Sequence, residues 1–468
     1  MANDQERLAQ QFLLRELEML LEAGETQALA QLLAEQRASD IADVVELLDN
    51  EERRKVFDAL DKTMSAEVLE KVSEAARAEL FDLFEDEELA ALVSELDPDD
   101  AADVLSELPA EEMADVLSEL PAEDSAQIRD LLTYSEDSAG GIMDPVLISV
   151  PEEATIAEAI NKIRAAEIDE DFYCVYVVNR FGKFLGDVRI RYLLTSPEDT
   201  RIHELVDPDT ICVNADADQE EVRNLFSKND LIVVPVLDRN RRLVGRITAD
   251  RIIEVAEEEA AEDLYAMAGT DADELESMSV LRAARVRMTW LFPCLVGTAV
   301  TSLVLLGFRT HSDAVYWAAV AFAPMIAAIS GNAGLQTSAI VISGLATGHL
   351  AARRLSQVFA REVRVALIVA LSCGVVGGLV CQFLPELMHD SAAAEQASGW
   401  IPHYRVATAF ATGMFSAIMV STTLGLFLPF LFRRIGIDPA ISSGPLVTTA
   451  NDSISVAIFM TLTLLLSS

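Results

Sequence analysis

The sequence predicts a multidomain membrane protein with four kinds of part. They are an acidic all-α superhelical N-terminal domain (1–133), two tandem α/β modules (134–200 and 201–258), a connecting helix (259–286) and an α-helical transmembrane bundle of five spans (287–468). Three observations lead there: charge is segregated along the chain, a short helical repeat gives way to two copies of a helix-and-strand pattern, and the C-terminal part holds five long apolar stretches.

The formal charge is -42 over 468 residues. From Arg287 onward there are 9 Arg, no Lys and 7 acidic residues, so the first 286 residues carry 26 basic and 70 acidic side chains, a charge of -44. Such an excess repels nucleic acid and anionic lipid and draws cations wherever carboxylates converge. A salt-adapted solvated surface is the plainer reading of the same excess. Cys174, Cys212, Cys294, Cys373 and Cys381 show no paired spacing, so neither disulfides nor a zinc motif are expected. The opening MANDQERLAQQ has no basic stretch followed by an apolar one, which assigns membrane insertion to the C-terminal half.

Up to about residue 125, Leu and Val recur at helical spacing between acidic turns such as LDPDD (96–100). AADVLSELP (101–109) returns as MADVLSELP (113–121), a shift of 12 residues that predicts short helices, each stopped near its proline and stacked on the next. Between 143 and 258 the pattern doubles. Amphipathic helices (156–168 and 219–228) precede β-branched strands, YCVYVV (173–178) and LIVVPVL (231–237), with a second strand after each turn. An acidic helix is then expected from 251 to about 279, ahead of Arg282, Arg285 and Arg287.

Stretches 288–308, 314–347, 365–384, 406–432 and 439–466 are long enough to cross about 30 Å of hydrocarbon. The second contains Pro324 and is expected to bend or to extend beyond the bilayer. Arginines cluster before the first span, after the second (Arg353, Arg354, Arg361, Arg364) and after the fourth (Arg433, Arg434), whereas the opposite loops hold Arg309 and Arg405. The positive-inside rule places the N-terminus in the cytosol and the C-terminus outside; a bacterial inner membrane is the expected location.

Asp452 falls inside the last apolar stretch. A lone carboxylate in hydrocarbon costs about 3 kcal/mol on insertion scales, so it is expected to face water or a cation. Thr448, Thr449, Asn451 and Ser453 add oxygen groups nearby, and Ser330, Gly331, Asn332, Gln336, Thr337 and Ser338 form a polar interruption in the second span. Oxygen-only surroundings suit a hard hydrated cation such as Mg2+ or Ca2+ better than zinc or copper. One carboxylate per chain invites a two-fold partner, with two copies of Asp452 facing across an axis. The competing reading is a protonated or Asn-paired Asp that staples two helices.

The α/β modules resemble a tandem pair of cystathionine-β-synthase (CBS) domains, which often bind adenine nucleotides. Of the four hydroxyl and acidic groups expected after Gly186 and Gly245, only Thr248 is present, with Arg189, Tyr192 and Arg251 at the other three places; tight ATP binding is therefore not expected. SGNAGLQTSAIVISGLATG (330–348) and IDPAISSGPLVTTANDS (437–453) resemble signatures of MgtE-type magnesium transporters, as do YSEDSAGGIMD (134–144) and EEEAAEDLYAMAG (257–269), in that family's order. The resemblance covers nearly the whole chain. It implies a homodimer with an axial pore, Asp452 as the selectivity carboxylate, and closure by cytosolic Mg2+ bound among the N-terminal domain, the CBS pair and the connecting, or plug, helix. Residues that would carry sensing are Asp250, Glu254, Glu257, Glu258, Glu259, Glu262 and Asp263, with Asp99 and Asp100 in the N-terminal domain; a solvated helix face is the alternative for each. Two places depart from the family. Arg251 stands where an acidic residue is common, which counts against a sensor site there, and Ser330 replaces the first Gly of Gly-Gly-Asn.

A carrier of the same architecture for Co2+, Ni2+ or Ca2+, and a non-transporting membrane-tethered CBS sensor, are the rival functions. There is no Walker loop, zinc-protease motif or nucleophile triad, and the five His are scattered, so an enzyme is not expected.

Overall fold

The structure is a computed structural model that describes residues 2–166, 172–270, 280–311, 316, 319–347, 350, 355–387, 403–442 and 444–467. It divides into two compact units, Met1–Glu257 and Glu258–Ser468.

The first unit opens with α1 (Ala2–Ala23), α2 (Thr26–Ala34), α3 (Ala38–Val45), α4 (Asn50–Ala59), α5 (Lys62–Lys71), α6 (Glu74–Phe81), α7 (Asp86–Val93), α8 (Pro98–Ser106), α9 (Ala110–Glu119) and α10 (Ala122–Leu131). Side-chain caps set several starts. Asp49 accepts from the Glu52 amide at 2.9 Å while its own amide donates to the Glu52 carboxylate at 3.2 Å, and Asp61 accepts from the Met64 amide at 2.9 Å. In the SELP repeat, Pro109 and Pro121 are the N-caps of α9 and α10, so each proline both ends one helix and aims the next. From α2 onward no helix here exceeds ten residues, below the roughly 12–15 at which an isolated helix holds in water. Packing supplies the rest: α3 lies on α5, α5 on α7, α7 on α9 and α8 on α10, around fully buried Leu17, Leu33, Ile41, Leu69, Leu80 and Leu105.

A longer period underlies the twelve-residue one. Arg53 Nε donates to the Val45 carbonyl at 2.9 Å, Arg77 Nε to that of Leu69 at 2.9 Å, and Ser125 Oγ to that of Leu117 at 2.8 Å. Each donor reaches eight residues back, and positions 53, 77, 101 and 125 are 24 apart; Ala101 fills the third place. The carbonyls belong to the closing turns of α3, α5 and α9, which have no partner within their own helix. Buried Arg53 and Arg77 thus act as cross-struts between successive helices.

Two small sheets follow, β1 (Ser149–Pro151), β2 (Cys174–Val178) and β3 (Phe184–Arg189), then β4 (Val213–Asn214), β5 (Val233–Leu237) and β6 (Leu243–Thr248). In each, the first strand pairs parallel to the second and the second antiparallel to the third, with a register shift at Val177/Val178 in one and Val236/Leu237 in the other. Helices α11 (Ile156–Ala165), α12 (Ile190–Thr195) and α13 (Gln219–Asn229) complete the modules. The expected strand at 231–237 begins only at Val233, because Asp230, at φ 52°, ends α13 in the left-handed conformation and turns the chain first. Across the modules, Arg246 Nε donates to Asp144 at 2.6 Å with both side chains buried.

Helix α14 (Ala249–Ala268) leaves β6 directly and stops at Gly269, whose φ of 77° suits glycine. The remainder of the expected connecting segment, 271–279, lies outside the described residues. The second unit then contains α15 (Val280–His311), α16 (Ala323–Ala346), α17 (Leu355–Leu387), α18 (His403–Arg434) and α19 (Pro445–Ser467), and among the described residues these five are long and apolar enough to cross a membrane. They make the chain a multi-pass membrane protein. Pro324 does not bend the second span: a 3-10 turn, Val320–Phe322, precedes α16, and Pro324 sits in its first turn, where its missing N–H costs no hydrogen bond. Central α18 packs on α16, α17 and α19. Gly334 and Gly425 let α16 and α18 meet backbone to backbone, and any Cβ added at Gly425 would strike the Gly334 carbonyl.

Candidate ion pathway and acidic helix

Helix α19 begins at Pro445, because the 3-10 turn Ala440–Ser442 and Gly444 keep the preceding chain out of the helix. Asp452 therefore lies about 10 Å along its axis, toward one end of the span rather than midway. The carboxylate is half-buried and faces α16, where a Cβ built on Gly331 would lie 3.5 Å from Asp452 Oδ1 and 3.4 Å from Thr448 Cγ2. A larger residue at 331 would crowd this place.

The other polar residues divide into two groups. Asn451, 1% exposed, donates through Nδ2 to Ser330 Oγ at 3.2 Å, and Ser330 Oγ donates its proton to the Ile326 carbonyl at 2.7 Å and pairs with Ser455 Oγ at 2.8 Å. Ser421 on α18 donates to the Ser330 carbonyl, so one polar knot ties three helices. Such a knot is stable because every buried partner is satisfied. Ser453 pairs with Thr301 of α15 at 2.7 Å, and Thr449 is buried against Gly297. Asn332 and Gln336 are exposed on α16 and Thr448 is half-buried. Asp452 is thus the charged member of an oxygen-rich wall whose Asn is committed to helix packing.

The acidic helix spans both units. In the first, Asp250 is exposed in the opening turn of α14, where a carboxylate suits the helix dipole, and Arg251 bonds Asp103 of α8 and, at 3.1 Å, Glu254. Glu254 and Glu257 are exposed. In the second, Glu258 and Glu262 are exposed and Glu259 and Asp263 half-buried. The C-terminal turn of α14 packs on the loop ahead of α19: Ala266 and Met267 meet Ile342 and Ala440, and a Cβ on Gly444 would sit 3.3 Å from the Ala266 carbonyl. Thr248, at the end of β6, is half-buried, while Arg189 and Tyr192 are exposed.

Asp99 and Asp100 are half-buried on α8. Burial pushes the Asp100 carboxyl up to about 7, helped by Glu70, Asp103 and Asp97 and opposed by Arg251. Asp103 is raised too, by burial, against the pull of Arg251. Asp103, Glu70 and Arg251 were not among the residues expected to act here; the repeat places Asp at both 103 and 115, and only the fold distinguishes them. Among the described residues, no three His, Cys, Asp or Glu side chains are grouped closely enough to hold a metal ion.

A raised carboxyl favours the folded, protonated form, so its contribution is complete below about pH 4 and is lost as pH rises through 7. Metal-free protein is expected to show a smaller advantage in thermal unfolding temperature at pH 5 over pH 8 once Asp100→Asn is made. An unchanged pH difference would remove Asp100 from this role.

Three family models match the chain: the MgtE divalent cation transporter over residues 323–462, the MgtE intracellular N domain over 36–137, and the CBS domain over 139–199 and 202–258. The chain is 34% identical over 348 residues to the magnesium transporter MgtE of Thermus thermophilus, covering 73% of this chain and 72% of that one. To the magnesium transporter MgtE of Bacillus subtilis it is 29% identical over 330 residues, 70% and 69% of the two chains. Among solved structures it is similar to the cytosolic domain of the Mg2+ channel MgtE in complex with ATP, at 34% identity and a TM-score of 0.49, over 52% of this chain and 99% of that one. A helical N-terminal domain, two CBS modules and a bundle of apolar helices in one chain, with relatives of this identity and coverage, establish that the protein belongs to the MgtE family of divalent cation transporters.

Proposed function

We propose that the chain is a Mg2+-selective channel or transporter of the bacterial inner membrane whose flux is lowered by cytosolic Mg2+. The observation that carries this reading is Asp452, a half-buried carboxylate beside glycine and hydroxyl groups in a membrane-spanning helix. A hydrated Mg2+ keeps most of its water and needs only carboxylate and hydroxyl oxygens around that shell. Because one chain supplies one such carboxylate, the working assembly is a homodimer in which two Asp452 side chains share the ion path.

Orientation is supported by Arg282, Arg285 and Arg287 in the first turns of α15 and by Arg433 and Arg434 closing α18, an excess of positive charge that favours a cytosolic N-terminus. Arg361 and Arg364 on α17 agree with it, whereas Arg353 and Arg354 lie outside the described residues. In this orientation Asp452 is near the cytosolic mouth, two turns beyond the loop on which Ala266 and Met267 rest. Cytosolic Mg2+ would act by screening the carboxylates at Asp99, Asp100, Asp250, Glu254, Glu257, Glu258, Glu259, Glu262 and Asp263, which eases the approach of acidic surfaces. Thr248 alone gives ATP a weak foothold, and nucleotide is not required by this reading.

The test is flux of the reconstituted full chain with the Mg2+ inside and outside set independently. Raising Mg2+ on the cytosolic face should lower the initial rate, and Co2+, Ni2+ and Ca2+ should compete poorly. A rate indifferent to cytosolic Mg2+ would defeat the regulatory part, and preference for a softer metal would defeat the selectivity.

A further inference from the structure

We propose that Arg251 is a positioning residue for gating, a tethered counter-ion that docks the N-terminal helical domain on the connecting helix without metal and so sets how much Mg2+ is needed to complete that docking. The proposal rests on the regulatory reading above. Arg251 lies in the first turn of α14, and its guanidinium bridges Asp103 on α8 and Glu254 on its own helix. Around Asp103 and Asp100 stand Glu70 from α5 and Asp97 at the head of α8, with Lys71 of α5 facing Asp100 and Glu254. Arg77, from α6, and Glu136 also act on Asp103.

Without a cation here, carboxylates on α5 and α8 would repel those of α14 across a partly buried gap, where the effective dielectric is well below that of water. A guanidinium supplies one positive charge at a fixed place. Unlike a dissolved ion, it neither dissociates nor depends on concentration, and its planar fork meets two carboxylates at once. Part of the interdomain attraction is therefore permanent, and dissolved Mg2+ has only the remaining negative charge to screen. That makes the approach of α8 to α14 complete at a lower Mg2+ concentration than the same surfaces would need with a neutral residue at 251.

Hydrogen exchange of α8 in the full-length protein, measured from chelator to high Mg2+ beside flux in proteoliposomes, tests this. Wild type should keep α8 partly protected in chelator. Arg251→Gln should lose that protection and require about tenfold more Mg2+ both to recover it and to lower flux, while Arg251→Lys should retain most of both. Asp103→Asn should cause the same loss, and combining it with Arg251→Gln should add nothing further. Unchanged protection of Arg251→Gln in chelator, or full additivity of the two changes, would overturn the proposal. Wild-type flux that ignores cytosolic Mg2+ would end the feedback reading alone, leaving the chelator comparison to judge the clamp.

Discussion

Replacing Asp452 by Asn or Ala is expected to cut Mg2+ flux by at least an order of magnitude while the protein still inserts and dimerises. A unit charge about 5 Å from a divalent ion is worth about 1.7 kcal/mol even at the dielectric of water, a factor of roughly 15, and more in a narrow path lined by protein. Two copies facing one ion would raise the effect further. Local packing should survive, because Asp452 lies against Gly331 while the knot that holds α16, α18 and α19 runs through Asn451, Ser330, Ser455 and Ser421. Reconstituted flux, normalised to inserted protein, decides it. Wild-type rates in Asp452→Ala would remove the carboxylate from the path.

Arg77→Ala should cost the N-terminal domain about 3–5 kcal/mol, since it strands Glu107 as a partly buried carboxylate and leaves the Leu69 and Val72 carbonyls without their donor. For a domain of this size that is a fall in unfolding temperature on the order of 10 °C or more. Urea titration of the full chain, followed by exchange at α5 and α6, should show the first transition moving to lower denaturant. Arg77→Lys should recover little, because an ammonium cannot span three carbonyls and a carboxylate as the guanidinium does. A loss below about 1 kcal/mol would mean that water replaces the strut.

Most of the architecture was legible in the sequence because it depends on local pattern. Acidic turns, a repeated SELP and two β-branched runs are signals read within a few residues, and a carboxylate at 452 stands out in an apolar stretch. Less visible were features that depend on partners far along the chain. Asn451 reads as an ion-path oxygen by position, yet its carboxamide is used between α19 and α16, a division of labour between neighbours that no spacing encodes. Arg251 reads as a departure from an acidic helix, and its counterpart Asp103 lies 148 residues away. The struts at 53, 77 and 125 escaped notice because Arg, Arg and Ser differ in chemistry although each feeds a carbonyl eight residues earlier.

That ladder has one missing rung. Ala101, with only a methyl group, donates nothing to the Val93 carbonyl at the end of α7, whereas positions 53, 77 and 125 each donate to the carbonyl eight residues earlier. The place without a strut lies beside Asp97, Asp99, Asp100 and Asp103, so the acidic cluster of α8 falls where position 101 adds no directional bond back to α7.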